Sequence, residues 1–355
     1  MAAGRRERRR GQPGRRGFSG VPAKTRSVFA GWDPSSPVAG RSDSGPGFAG
    51  DAGGAGTGWH PSGGGGLVSL FLASIGFGLV TSSVLAIAAV GFTLQFGVTD
   101  VLNLAFGAIM IFGAYVAYLV NQAGGSVWTG LVAAMAASSL VSVLLNAGVY
   151  TPFQRRGASP ITMVIVSLGM TLIIEFGVQA VSGGTAVSYA MNSGSTFKAG
   201  GLILTWVQVV IMILSVLVMV GVHVLLRYTK LGKAMRATAA NRTLARNCGI
   251  RTSRVITLTW ALTGALCGLA GTVFAIDAGS FDATATDLFL VLILAAVFLG
   301  GPGQPYGAML GALVIGLATE VSAVFIPADY KYVVGFVALL VMLGVRPTGL
   351  LGQRA

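Results

Sequence analysis

Two carboxylates, Glu175 and Glu320, lie inside long apolar stretches of the chain. An acid in the hydrocarbon region of a bilayer is costly, so such a residue is a functional candidate by default. Both acids lie near the ends of their predicted spans, where water can reach them, and a structural role is the alternative. We take Glu175 and Glu320 as candidates for a polar path through the membrane.

Other reactive side chains are sparse. The two histidines, His60 and His223, are too far apart in sequence for a metal cluster. The sequence has no G-x-x-x-x-G-K-[ST] phosphate loop, since Gly232 and Lys233 are followed by Ala234. Nucleophile-elbow, zinc-protease, voltage-sensor and carbonyl-filter patterns are also missing. The chain is therefore not expected to be an enzyme or to hydrolyse nucleotide.

The composition indicates a membrane protein. Of the 355 residues, 54% are hydrophobic and 10% are charged, whereas soluble domains carry roughly 25% charged residues. A spanning helix needs about 20 apolar residues. The sequence therefore predicts an all-α, polytopic membrane protein of about eight transmembrane helices, from charge-free runs at 67–99, 101–154, 157–174, 202–226, 255–276, 288–319 and 332–345.

The net charge of +13 is concentrated in two places. Ten of the 24 basic residues precede residue 45, and eight lie in the segment 227–254. Neither group is interleaved with aromatic residues as a nucleic-acid platform would be, so no nucleic-acid partner is expected.

The first 66 residues differ from the rest. They are rich in Gly, Pro, Ser and Arg, so a disordered tail is predicted at 1–66, before a membrane domain at 67–352. No apolar run follows the arginine cluster closely enough for a signal peptide. The tail is either a basic anchor for anionic lipid or a dispensable extension.

The segment 227–254 carries eight basic residues and no acid, between two uncharged spans. The positive-inside rule places such a loop in the cytoplasm. Leu231–Ala240 is rich in good helix formers, Asn241 can cap a second short helix, and Gly249 suits the left-handed residue after it. The alternatives are an interaction surface and a solvated basic connection facing lipid.

The crossing count leaves two arrangements open. Segments 182–201 and 277–287 are expected outside, and the loop 227–254 inside. A broken or re-entrant segment around Phe92–Asn103 would give eight crossings with both chain ends inside, and we favour this arrangement. The alternative is nine crossings with the N-terminal tail outside.

Small residues recur in the last third of the chain. Two sets predict faces for close helix packing: Gly264, Gly268 and Gly271, and Gly303, Gly307 and Gly311. The segment GGPGQPYG at 300–307 predicts either a tight cytoplasmic hairpin or a helix break that lines a path.

Five segments resemble the inner-membrane permease subunits of ATP-binding-cassette importers of the high-affinity branched-chain amino acid type. They agree in order and separation over about residues 67–352, and they are 91–118, 167–176, 227–255, 295–320 and 330–352. The loop at 227–255 and the last two segments are the most specific.

The resemblance implies that the chain forms part of a path for branched-chain or related small amino acids in the bacterial cell membrane. It implies a second permease subunit, two cytoplasmic ATP-binding subunits and an extracytoplasmic substrate-binding protein as partners, besides membrane lipid. ATP and Mg would bind to the ATPase subunits, so no cofactor is expected on this chain. Contacts with the ATPase are expected at Gly232, Arg236, Ala237, Ala240, Asn241, Ala245 and Gly249.

The chain departs from the family in two places. The usual His and acid of the N-terminal signature are Phe106 and Ala108 here, close to Asn103. We therefore add Asn103 and Phe106 to the candidates that line the path. Members of the family often have an acid in the middle of the loop that corresponds to 227–254, and Ala240 stands at that position here. Alanine keeps the helix but removes a possible ion pair.

Three other functions remain open at this point. A stand-alone secondary transporter or channel would need no ATPase and would use its intramembrane acids as ion sites. An importer permease for urea or short amides is a closer alternative. A membrane scaffold without transport activity is the third.

Overall fold

The computed structural model describes residues 66–191, 196–199, 202–327, 330–345 and 349–350. The tail predicted at 1–66 therefore lies almost entirely outside the described residues. The described chain is overwhelmingly helical, as predicted. Its α-helices are α1 Gly66–Thr99, α2 Phe106–Gln122, α3 Val127–Leu145, α4 Thr151–Arg155, α5 Pro160–Ser182, α6 Trp206–Tyr228, α7 Lys230–Ala240, α8 Arg242–Asn247, α9 Thr252–Ala278, α10 Asp287–Gly300, α11 Pro305–Ser322 and α12 Lys331–Val345.

Two short features interrupt the helical pattern. A π-helical turn, Asn146–Tyr150, joins α3 to α4. Strands β1 Thr196–Ala199 and β2 Leu202–Thr205 form an antiparallel hairpin before α6, with Thr196 opposite Thr205. Strand β1 lies in the segment 182–201 that the charge pattern places outside, whereas β2 occupies the start of the run 202–226 that was predicted as a span.

Six of the described helices, α1, α3, α5, α6, α9 and α11, are long and apolar enough to cross a membrane. Helices α2, α10 and α12 are apolar but shorter. Together they form the polytopic bundle that the composition predicted.

Helix α1 runs towards the face that carries the loop 227–254. Its last turns meet the turn between α10 and α11, where Gly97 contacts Gly303, while Gly78 near its start contacts Leu317 in α11. The groove at the end of α1 is also lined by Arg236 of α7. Helix α1 therefore begins on the face opposite to α7 and ends on the same face.

This direction corrects the predicted break. Helix α1 continues without interruption through Phe92 to Thr99, and the non-helical segment is confined to residues 100–105. Six described helices are long enough to cross a membrane and three apolar helices are shorter, so the predicted count of about eight is approximate. The number of crossings and the side on which the chain begins stay predictions.

Helix α9 lies at the centre and packs through small residues. Gly264 contacts Ser142 of α3, Gly268 contacts Ala134 of α3, and a Cβ at Gly271 would overlap the backbone of Met110 in α2. These contacts confirm the small-residue face that was predicted on α9. Close backbone approach of this kind gives the van der Waals packing that holds membrane helices together.

The GGPGQPYG segment forms a tight turn between α10 and α11. Gly301 and Gly303 have φ values of 109° and 80°, and Gly300 packs directly on Gly307. Positive φ is strained for residues with a Cβ, which explains the glycines here. The hairpin interpretation of this segment is therefore confirmed.

Candidate translocation path and coupling surface

The break between α1 and α2 is held by polar side chains. Asp100 opens it with a φ of 52°, which is unusual for a residue other than glycine. The Asn103 Oδ1 atom accepts hydrogen bonds from the Tyr150 hydroxyl at 2.6 Å and the Ala105 N–H at 3.1 Å. The Leu104 N–H donates to Ser167 Oγ of α5 at 3.2 Å. Non-helical backbone is tolerated within a membrane where protein satisfies its polar groups in this way.

Two predicted path residues, Asn103 and Phe106, belong to this break. Both are fully enclosed, with 1% and 0% of their surface exposed. The Phe106 ring meets Phe92 edge to face, with the ring centroids 5.4 Å apart. Their position indicates that these residues shape the break rather than form an open wall.

Glu175 lies on the inward face of α5. It is buried in line with Ser167 and Thr171, each four residues from the next, which gives the helix a polar inner stripe. Its Oε1 atom is buried without a hydrogen-bond partner among the described residues, and the carboxyl of Asp287, at the start of α10, is a nearby like charge. Asp287 is exposed on the surface of the bundle. Because an acid avoids lipid, water or another protein must cover this part of the surface.

Glu320 lies in a different place, at the outer end of α11. Its Oε1 atom accepts a hydrogen bond from Thr81 of α1 at 3.0 Å and pairs with the Lys331 ammonium of α12 at 3.4 Å. These residues line a cavity of about 290 Å³ that also holds Asp277 and Gln208. The four predicted path residues therefore occupy three separate places rather than one site.

Sequence reasoning missed Asp277, Asp287 and Lys331 as site residues. The two aspartates were placed in an external loop, but α9 extends to Ala278 and α10 begins at Asp287. The sequence does contain a clue, because each of these charged residues directly borders an apolar run. A residue at the end of a helix can face a neighbouring helix.

The external segment after α5 is docked on the bundle. Val187 pairs with Phe281 through two backbone hydrogen bonds of 2.9 Å, and Tyr189 donates its hydroxyl to the Ala114 carbonyl at 2.9 Å. Burial raises the pKa of the Tyr189 phenol, so it remains a neutral donor. This segment therefore closes the outer ends of α2 and α9.

The loop 227–254 folds as two capped helices, as predicted. Thr229 accepts a hydrogen bond from the Gly232 N–H at 3.0 Å and caps α7. Asn241 accepts from the Leu244 N–H at 2.9 Å and caps α8. Gly249 follows α8 with a φ of 85°, the left-handed conformation expected there.

The residues expected to contact an ATPase differ in how much of their surface is exposed. Gly232 and Ala245 are buried against the chain itself, and Gly232 leaves no room for a Cβ beside Leu225 and Leu226. Ala237 is half-buried. The others are exposed, namely Arg236, Ala240, Asn241 and Gly249.

Leu244 is a further exposed residue on this surface that sequence reasoning missed. It leaves 60% of its surface exposed on a polar loop that carries eight basic residues. Single exposed apolar residues are common on protein surfaces, so Leu244 becomes a candidate contact only because it stands on an ordered basic loop. We use the name coupling surface for Arg236, Ala240, Asn241 and Leu244.

The profile of the family described as "branched-chain amino acid transport system / permease component" matches residues 74–343. The chain belongs to this family. It is thus a multi-pass membrane permease, and the family expected from the sequence is confirmed.

Individual relatives agree with this assignment. The high-affinity branched-chain amino acid transport system permease protein LivH of Salmonella typhimurium is 28% identical over 300 residues, which cover 80% of this chain and 96% of LivH. BraD of Pseudomonas aeruginosa, of the same description, is 29% identical over 290 residues, covering 78% and 94% of the two chains. The galactofuranose transporter permease protein YtfT of Escherichia coli is 28% identical over 269 residues, covering 74% and 76%.

Proposed function

We propose that this permease forms one half of the membrane path of an ATP-binding-cassette importer for branched-chain or related small amino acids. A second permease subunit completes the path. Two cytoplasmic ATPase subunits supply the energy, and an extracytoplasmic binding protein delivers the substrate. ATP and Mg bind to the ATPase subunits, and this chain needs no cofactor of its own.

The coupling surface is the observation that carries this proposal. It stands on two short helices, each fixed by its own cap, on a loop with no acidic residue. A mere tether between spans needs neither caps nor an exposed leucine. An ordered, basic surface with one apolar anchor fits a protein partner that presents carboxylates around an apolar groove.

The packing of α7 supports its use as a lever. Gly232 packs directly on the backbone of the last turn of α6. A displacement of α7 would therefore move this spanning helix with it. Met235 of α7 is also fully buried, at 1% exposure. Closure of the ATPase subunits would therefore tilt the attached spans as a rigid unit, and would switch the path between its outward-open and inward-open states.

The surface around Glu175 and Asp287 supports a path that is shared with another subunit. The exposed faces of α5 are apolar, as at Ile173 and Phe176, whereas Asp287 beside them is charged. A water-filled path bordered by a second permease accommodates both kinds of surface. Asn103 and Phe106 would act there by holding the helix break in shape.

Reconstitution of the complete complex in liposomes tests the proposal. Leu244→Glu places an acid in the proposed apolar groove, and Arg236→Glu reverses a charge beside it. We expect each change to reduce substrate-stimulated ATP hydrolysis and uptake together by at least tenfold, because a lost interface anchor typically costs about 2 kcal/mol or more. Arg156→Glu is the matched control, since Arg156 is an exposed arginine in the turn between α4 and α5.

The alternatives predict different results. A secondary transporter would retain uptake without ATPase subunits, driven by an ion gradient, and a scaffold would show no uptake in any form. Wild-type uptake and ATPase binding in both coupling variants would refute the role of the coupling surface. Uptake of urea or short amides in preference to leucine would change the substrate class but leave the importer mechanism.

A further inference from the structure

We propose that the outer cavity between α1, α6, α9, α10, α11 and α12 binds a zwitterionic aliphatic amino acid within a single permease chain. This inference rests on the proposed function and gives it a substrate site. The cavity combines charges of both signs at one side with apolar walls at the other, which is the pattern of a free aliphatic amino acid.

The charged side of the cavity has one group for each end of a zwitterion. The Lys331 ammonium has three protons, and its contact with Glu320 at 3.4 Å leaves others to donate to a ligand carboxylate. Asp277 brings a carboxyl group of the opposite charge and lines the same cavity as Gln208. Asp277 is exposed to the cavity, so its carboxylate can receive a ligand ammonium.

Glu320 differs from Asp277 in that its carboxylate is already hydrogen-bonded within the chain. Its Oε1 atom already accepts from Thr81 at 3.0 Å and from Lys331. It therefore orients Lys331 rather than contacting the ligand ammonium first. Two carboxylates and one ammonium give the cavity a formal charge of −1, which disfavours ligands that carry only a carboxylate.

The apolar side of the cavity is rigid. Phe274 and Phe289 pack against each other with their ring centroids 4.8 Å apart, and Val84 and Leu292 are buried beside them. Fixed apolar walls accept an aliphatic side chain without reorganisation. The volume of about 290 Å³ lies at the lower end of the range for small-molecule sites, about 300–1,000 Å³, and suits a small amino acid.

The position of the cavity fits a ligand that arrives from outside. Its residues lie at the start of α12, the end of α11 and the end of α9, on the face opposite to the coupling surface. An extracytoplasmic binding protein would release its ligand on this face.

A labelling experiment on the reconstituted complex tests the site. Ala278, at the rim of the cavity, is changed to cysteine in a background with Cys248→Ser and Cys267→Ala. Labelling from outside with a charged thiol reagent is measured with leucine, N-acetyl-leucine or leucinamide. We expect leucine to slow labelling at least fivefold, and each analogue, which lacks one charge, to have little effect.

Substitutions of Asp277 and Lys331 show which residue binds the ammonium group of the ligand and which binds its carboxylate. Asp277→Asn should raise the leucine concentration needed for half-maximal protection at least tenfold. It should also erase the discrimination between leucine and N-acetyl-leucine. Lys331→Gln should erase the discrimination between leucine and leucinamide. Asp282→Asn removes an acid from the neighbouring external segment and should change neither, since Asp282 bonds to Thr284 in its own turn.

The results separate this inference from the proposed function. Uptake of leucine by the wild-type complex, combined with equal labelling in the presence and absence of leucine, would overturn the site and leave the importer function. Equal protection by all three compounds would also overturn it, because charge recognition would be lacking. A complex that transports no amino acid at all would refute the proposed function itself.

Discussion

Helices α6 and α9 have similar lengths but opposite surroundings. Buried residues make up 72% of the apolar segment of α9 and only 22% of that of α6, although α6 is the more apolar of the two. In a water-soluble protein the more apolar helix would be the more buried one. The order is reversed here because lipid tails are as apolar as the side chains, so burial brings no hydrophobic gain.

What places α9 in the centre is the size of its side chains. Gly264, Gly268 and Gly271 let the backbones of α2 and α3 approach it, whereas Gly221 of α6 has no neighbouring atom within 4 Å of a Cβ position. The comparison teaches that steric fit decides the interior of this bundle and apolar composition decides its lipid surface.

The largest effect is expected for Gly271→Leu. A side chain there must displace the Met110 backbone, and overpacking of a tight contact typically costs about 1–3 kcal/mol or more. We expect little folded, monodisperse protein after purification in detergent. Gly221→Leu is the matched control and should purify like the wild type. Equal yields of the two variants would show that small residues do not determine the centre of the bundle.

An effect confined to one helix is expected for Leu217→Lys, at the middle of α6. Leu217 is 62% exposed, and a lysine at the centre of a spanning helix costs about 2.5–3.5 kcal/mol where it faces lipid. The inserted fraction of α6, measured with a membrane-insertion reporter, should fall, whereas Leu217→Ala should have little influence. Unchanged insertion of the lysine variant would indicate that this face of α6 contacts protein or water instead.

The short helices α7 and α8 extend the comparison to elements with a polar, largely exposed surface. These helices are stabilised by their caps, whereas α9 is stabilised by close packing. Asn241→Ala should therefore destabilise α8 by about 1 kcal/mol. Hydrogen exchange at the Leu244 amide should become roughly fivefold faster, since 1.4 kcal/mol corresponds to tenfold. Asn241→Asp keeps the acceptor and should retain the wild-type rate. The same exchange rate in all three proteins would mean that tertiary contacts alone hold α8.

Deletion of residues 2–60 is expected to have the smallest effect. This segment lacks the apolar residues for a core and precedes the residues that the family profile matches. Insertion and uptake should remain within about twofold of the full-length chain, a bound that follows from the tolerance of termini to change. Loss of assembled protein would show that the tail is a structural or targeting element.

The sequence by itself determined the features that depend on a few neighbouring residues. The spans follow from apolar run length, and the two caps of the loop 227–254 and the turn at Gly249 follow from local backbone rules. The GGPGQPYG turn and the small-residue face of α9 could also be predicted, because each is written in consecutive or regularly spaced residues.

The tertiary structure alone decided how distant segments meet. Local rules gave no means to tell whether residues 92–99 continue α1 or break it, because apolar residues suit both; the contact of Gly97 with Gly303 settles its course. The three charged residues of the cavity, Asp277, Glu320 and Lys331, lie at the ends of three different helices. Hydropathy places each charge at a span end, but only the packing of those helices turns the three side chains towards one another.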